Sequence, residues 1–304
     1  MPTSSLNTRS ILQSATALRL GLALLTTTVF SGCASFNHIA NYPTPAKPAT
    51  VAIVAKPLSK MSELPVGAYY DDKREIVISG HQKGLGVSML FGVVGVLVAD
   101  AANKSSAESR FGASAQSSVT DLLSLTRAAL QETIAAGHAP QWTATDAAAQ
   151  LQLSPHAVFT VMDSGKARLY AMLSAQVPGA AGSDPAWSVR YFVRAPGEYA
   201  VEGADGWMTQ NRFSEAMATA LRRAVQVCAD DAHGKLTGTK KVKAKGRFAM
   251  VNFEFDLPIL VVSETDDTIV GRLAVGDAMI MSGTHILNRA DYQIKEADFK
   301  DPRQ

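Results

Sequence analysis

Between residues 116 and 231 the apolar period changes from helical to strand-like and back to helical, and this constrains the fold more than any other feature of the chain. In Ala167–Val177, Leu169, Ala171, Leu173, Ala175 and Val177 alternate with Arg168, Tyr170, Ser174 and Gln176. A period of two sends successive side chains to opposite sides of a sheet, so one face is expected to be buried and the other wet. Trp187–Arg194 repeats the pattern, with Trp187, Val189, Tyr191 and Val193 inward and Arg190 and Arg194 outward. His156–Asp163 comes before both, separated from Ala167–Val177 by Ser164-Gly165-Lys166, a turn of the length that joins antiparallel neighbours.

Amphipathic helices are expected on either side of this run. In Gln116–Ala136, Val119, Leu122, Leu123, Leu130 and Ile134 share one face. Ser118 and Asp121 form a weak capping box, and Gly137 supplies a stop. Phe213–Asp231 places Met217, Leu221, Val225 and Cys228 inward and Arg222 and Arg223 outward, with Gly234 past its end. The expected class is therefore α+β: an antiparallel sheet covered by two amphipathic helices, followed by a small all-β C-terminal module.

Structure is expected to begin at the β-branched run Val51–Ala55. A hairpin is expected from Val66–Tyr70 and Glu75–Ser79 around Asp71-Asp72-Lys73. The adjacent aspartates here, and at Asp230-Asp231 and Asp266-Asp267, read as solvated turns rather than as metal ligands or acid/base pairs. Residues 237–247 hold Lys240, Lys241, Lys243 and Lys245 with Gly238 and Gly246, and read as a linker; a phosphate or lipid-headgroup patch is the functional alternative. Beyond it Ala249, Val251, Phe253 and Phe255 alternate, Ile259–Val262 is apolar, and Gly276-Asp277 joins two further strand-like runs. Residues 248–304 thus read as a β module packing on the first domain, residues 51–236, or on a partner.

The N-terminus carries a different signal. The first 33 residues lack Asp and Glu, contain Arg9 and Arg19, and run through Leu20–Phe30 into Ser31-Gly32-Cys33. A basic start, a short apolar stretch of about eleven residues and a small-residue processing site make a secretory signal, whereas a spanning helix needs about 20 apolar residues. The ending resembles the lipobox of bacterial lipoproteins, with Phe30 where Leu or Val is usual. The resemblance implies removal of residues 1–32 and a diacylglyceryl group on the sulfur of Cys33. Ala34, a non-acidic residue after the cysteine, implies sorting to the periplasmic side of the outer membrane. Residues 33–50, with Pro43, Pro45 and Pro48, read as an extended tether.

Gly84–Ala99 has 16 residues without a charge, and Ser88, Gly92, Gly95 and Ala99 form two small-xxx-small pairs that allow close backbone approach. It reads as a buried apolar segment; a membrane-contacting or self-association element is the sharper alternative.

Composition and motifs narrow the chemistry. Without residues 1–32 the chain holds 27 basic and 27 acidic residues, a balance that disfavours nucleic-acid binding. Hydrophobic residues at 47% supply a core. With Cys33 acylated, Cys228 has no disulfide partner and reads as a small buried apolar residue. His38, His81, His138, His156, His233 and His285 fall singly, outside metal-ligand spacing, and neither a Gly-x-Ser-x-Gly nor a phosphate-loop pattern occurs. The expectation is a non-enzymatic lipoprotein without metal or cofactor, whose helix–sheet–helix arrangement resembles the small α/β bodies of envelope accessory lipoproteins at the level of architecture. Such a protein acts as an interaction subunit of an envelope assembly, secretion or transport system; self-assembly through residues 84–99 and an enzyme with dispersed catalytic residues are the alternatives.

Overall fold

A computed structural model describes residues 49–58, 63–65, 67–80, 105, 120–179, 185–209, 211–273 and 280–296. Cys33, Ser118 and the segment 84–99, with Ser88, Gly92, Gly95 and Ala99, lie outside the described residues. Residues 38–304 form one compact unit, and it contains every described strand, both described helices and all three apolar clusters.

The protein is mostly β. A mixed sheet of 12 strands runs in the order β12-β8-β9-β10-β11-β7-β6-β5-β1-β4, with β3 and then β2 joined to β5 off this path. The strands are β1 (Ala49–Ile53), β2 (Tyr69–Asp71), β3 (Ile76–Ser79), β4 (Trp142–Ala144), β5 (Leu151–Val161), β6 (Ala167–Val177) and β7 (Trp187–Arg194), then β8 (Lys240–Gly246), β9 (Phe255–Glu264), β10 (Thr268–Leu273), β11 (Gly283–Asn288) and β12 (Gln293–Glu296). Helices α1 (Leu122–Ala135) and α2 (Arg212–Ala232) pack on one face. The expected antiparallel sheet is corrected to a mixed one, because β1 runs parallel to β4 and β5, β3 to β5, and β11 to β7. Strand direction depends on which distant segment becomes the neighbour, and local periodicity carries no such information.

Strand β5 shows how one residue organises this edge. Its first half pairs with β1 at Leu151–Leu153, its second with β3 at Ala157–Thr160, and Pro155 falls between them. The Leu153 carbonyl accepts from Val54 and the Ala157 N–H donates to Glu75, so the odd-numbered residues face these neighbours. Pro155, lacking an N–H, therefore sits where no neighbour needs one.

Helix α1 is capped at both ends. Asp121 accepts from the Ser124 hydroxyl and from the Ser124 N–H at 3.0 Å, and these bonds, the hydroxyl's first, hold its carboxyl below the usual range. At the other end Gly137 has φ 75°, and the His138 and Gly137 amides return to the carbonyls of Thr133 and Ile134. These are the two bonds of a Schellman stop, which favours glycine at the left-handed position. Helix α2 buries Met217, Leu221, Val225 and Cys228 against β6 and β7. Truncating such a leucine to alanine costs about 2–5 kcal/mol.

Both faces of the central strands are covered, which corrects the expected wet face of β6. Tyr170, Met172 and Ser174 are buried, and Tyr170 and Met172 join Leu58, Leu64, Val77, Val158, Phe192, Ala249 and Met250 in a cluster opposite the helices. The cover comes from Leu58 and Leu64 and from Ala249 and Met250, remote in sequence.

Residues 237–247 are corrected from linker to strand over Lys240–Gly246. Val242, Ala244 and Gly246 point inward while Lys241, Lys243 and Lys245 point outward. The inward residues are too small and too few to stand out against the lysines. Successive residues of β9–β11 serve opposite faces: Val261, Ile269 and Leu287 enter a cluster of their own with Phe248 and Tyr292, while Val262, Val270 and Ile286 enter the helix-side core. Between β11 and β12 lie Arg289–Tyr292, a 3-10 turn and one residue. Four strand spacings on a flat sheet span about 19 Å, more than the roughly 17 Å these residues reach extended. The strands β8–β12 must therefore curl around their cluster.

Candidate binding groove

Two polar clusters are built into the interior and a third is part-buried. The first lies between α2 and the sheet: Asp231, 5% exposed, accepts from the Tyr191 hydroxyl at 2.8 Å and from Arg272 at 2.6 Å. Burial pushes its carboxyl up, and Arg272 and Tyr191 act against that shift. The expected solvated turn at Asp230-Asp231 is corrected on this point: both residues are helical, and only Asp230 faces outward enough to pair with Lys235. Burial, followed by the charge of Asp231, also raises the Cys228 thiol, which is the inert setting expected of a packing cysteine.

The second cluster fastens segment 54–58 to the sheet. Glu75, a non-glycine residue at φ 58°, accepts from the Tyr70 hydroxyl at 2.8 Å and lies 3.1 Å from Nε2 of fully buried His156. That Nε2 also lies 3.1 Å from the Lys56 carbonyl. Two acceptors around Nε2 place the ring proton there. In the third cluster Glu198 accepts from Arg168 at 2.7 Å and Arg194 at 3.2 Å, and Arg194 reaches Asp291 at 2.6 Å. Among the described residues no group of three or more His, Cys, Asp or Glu side chains is placed to hold a metal ion.

A groove of about 510 Å³ opens beside α2, between its outer flank and the segment that follows β7. Its floor is made by the chain folding back on β6. The Ala167 N–H donates to the Tyr199 carbonyl at 2.7 Å, and the Ala167 carbonyl accepts Trp207 Nε1 at 2.7 Å. Buried Trp207 meets Tyr199 edge-to-face at 4.9 Å and 87°. Such a pair contributes about 0.5–1.5 kcal/mol beyond its buried area. Arg212 lies over the exposed Tyr199 ring at 4.3 Å, and its Nη1 donates to the carbonyls of Gly206, at 2.8 Å, and Asp205. The guanidinium is thereby locked before any ligand arrives.

The helix wall follows from spacing: Asn211, Glu215 and Thr219 are four apart, exposed, and line the groove with Ala216, while Pro196 forms the opposite lip. Sequence reasoning passed over this site. Its signal was two aromatics, Tyr199 and Trp207, set among the turn residues Pro196, Gly197, Gly203 and Gly206 between a strand and a helix. Glycine is required at Gly197, where φ is 94° and a Cβ would strike the Tyr199 ring.

Of the residues singled out by sequence, Cys228 lies on the inner face of α2, away from the groove lining. No described helix is long and apolar enough to cross a membrane. Compared with protein-family models and with curated proteins, the chain matches no family model and no curated protein.

Proposed function

We propose that this chain is a lipid-anchored, periplasm-facing lipoprotein of the cell envelope. It acts without catalysis as an interaction subunit of an envelope assembly, secretion or transport system. The groove beside α2 is its partner-binding site, and Cys33 is its attachment point at the outer membrane.

The observation that carries the reading is the groove. Tyr, Trp and Arg dominate the energetics of protein recognition, and here Tyr199, Trp207 and Arg212 are stacked and hydrogen-bonded in place, with Tyr199 still exposed. Pre-ordered side chains lose little freedom on binding, so their contacts appear as affinity. The polar rim of Asn211, Glu215 and Thr219 suits an extended segment of a protein partner. The acids support the same reading, since buried Asp231 and Glu75 and part-buried Glu198 are each engaged by partners within the fold.

Two variants test the two halves separately. Cys33→Ala is expected to abolish metabolic palmitate labelling and release the protein from the membrane fraction; retained label overturns the anchor. Tyr199→Ser is expected to leave label and fractionation unchanged while the co-purifying envelope partner is lost. A partner retained by Tyr199→Ser overturns the groove assignment.

A further inference from the structure

The register of the outer strands creates a second surface, of opposite character to the groove. Lys241, Lys243 and Lys245 share the outer face of β8, and Lys295 of β12 lies directly across from Lys243. Residues so paired have Cβ atoms about 4.5–5.5 Å apart, and like charges there oppose folding. Lys245 has Asp256 opposite it and Glu254 at 3.9 Å. Among the described residues Lys241, Lys243 and Lys295 make no ion pair, whereas Lys240 meets Glu264 and Glu296. Four lysines against two carboxylates leave this face with an excess of two positive charges.

Protection of a sheet edge does not account for it. Charged residues belong on the edge strand for that purpose, and β12 is the edge; β8, which carries three of the lysines, is paired on both sides. At the Lys245 end of the face, next to Glu254, stands Phe253, 56% exposed and 4.4 Å from Phe255. A basic face bordered by an exposed aromatic matches a surface of anionic headgroups, where lysines attract phosphate and an aromatic ring enters the interfacial layer.

We infer that the outer face of β8 and β12, with Lys241, Lys243, Lys245 and Lys295, docks on an anionic lipid bilayer, with Phe253 entering the headgroup region beside it. The choice of a bilayer over another polyanion rests on the tethered reading above. A lipid anchor holds the protein near a membrane, and this face then sets which side of the body lies against it.

The test uses residues 38–304, the compact unit, sedimented with vesicles at low salt. Vesicles of phosphatidylcholine with phosphatidylglycerol are compared with phosphatidylcholine alone. The unit is expected to partition onto the anionic vesicles, to do so far less onto neutral ones, and to be released at about 1 M salt, where screening acts over about 3 Å. Each lysine near such a surface contributes about fivefold, so Lys241→Gln, Lys243→Gln and Lys295→Gln together are expected to lower partitioning on the order of a hundredfold. Phe253→Ser is expected to lower it further, and Lys73→Gln, on the distant β2–β3 turn, to leave it unchanged. Equal partitioning of parent and triple variant, or no preference for anionic vesicles, overturns the inference. Because this unit lacks Cys33, failure here leaves the anchor standing, and failure of palmitate labelling leaves this result intact.

Discussion

Strands β5–β7 and strands β8–β12 belong to one sheet but are stabilised in different ways. The former are buried on both faces, by α1 and α2 on one side and by Leu58, Leu64, Ala249 and Met250 on the other. Of the latter, β9–β11 curl around a smaller cluster while sending Val262, Val270 and Ile286 into the helix-side core, and β8 and β12 turn lysines outward. A strand covered on both sides can afford little charge on either face, whereas β8 buries Val242, Ala244 and Gly246 on one face and carries lysines on the other. The groove accordingly sits beside the doubly covered strands, and the charged face on the strands with a free side.

The two regions are joined where β11 lies parallel to β7, and polar groups mark that seam. Asp231 of α2 reaches Arg272 of β10, and His285 of β11 stacks on Phe192 of β7 at 4.6 Å. Asp231→Ala attacks the join most directly, because it leaves Arg272 buried without its carboxylate. A loss of about 3–5 kcal/mol is expected in denaturant unfolding. A loss below about 1 kcal/mol would mean that the join rests on strand pairing and apolar packing without this ion pair.

Acid probes the same seam from β11. His285 is fully buried, its Nε2 lies 2.8 Å from the Met281 carbonyl, and burial depresses its pKa to about 4 from an ordinary 6.5. The folded state favours the neutral ring, so this contribution is present above pH 6.5 and is lost as pH falls through 4. Over that interval it amounts to about 3 kcal/mol. Asp231, whose carboxyl is raised, works in the opposite sense as pH falls. The prediction is therefore a difference: parent and His285→Phe should differ in the slope of stability against pH between 6.5 and 4, the variant being flatter. Parallel curves would remove His285 from the account.

A smaller effect is confined to the helix-backed region. Asp121→Ala removes the cap of α1 and should cost about 1 kcal/mol. Vesicle partitioning should be unchanged, since α1 is remote from β8 and β12. A change in partitioning would show that the two regions are not separable in function.

The legible parts of the sequence were those where one period dominates. Helix α2 and strands β6 and β7 announce themselves through Met217, Leu221 and Val225 and through the alternation around Leu169 and Val189. The rest depended on contacts between remote segments. Tyr170 looks solvent-facing until Leu58, Leu64, Ala249 and Met250 are laid over it. Strand β8 looks like linker because its inward residues are Val242, Ala244 and Gly246. Asp231 reads as a solvated acid until Arg272 arrives from forty-one residues away. The groove was less legible still, because Tyr199, Trp207 and Arg212 acquire meaning only when the chain folds back on Ala167.

The central claim is that the groove beside α2 holds a partner in the envelope. A photo-crosslinking residue placed at Thr219 in intact cells tests it most directly. The account predicts a discrete protein adduct from position 219 that disappears when Tyr199→Ser is added, and no matching adduct from position 73 on the β2–β3 turn. An adduct pattern at 219 that survives Tyr199→Ser, or is shared with position 73, would contradict it.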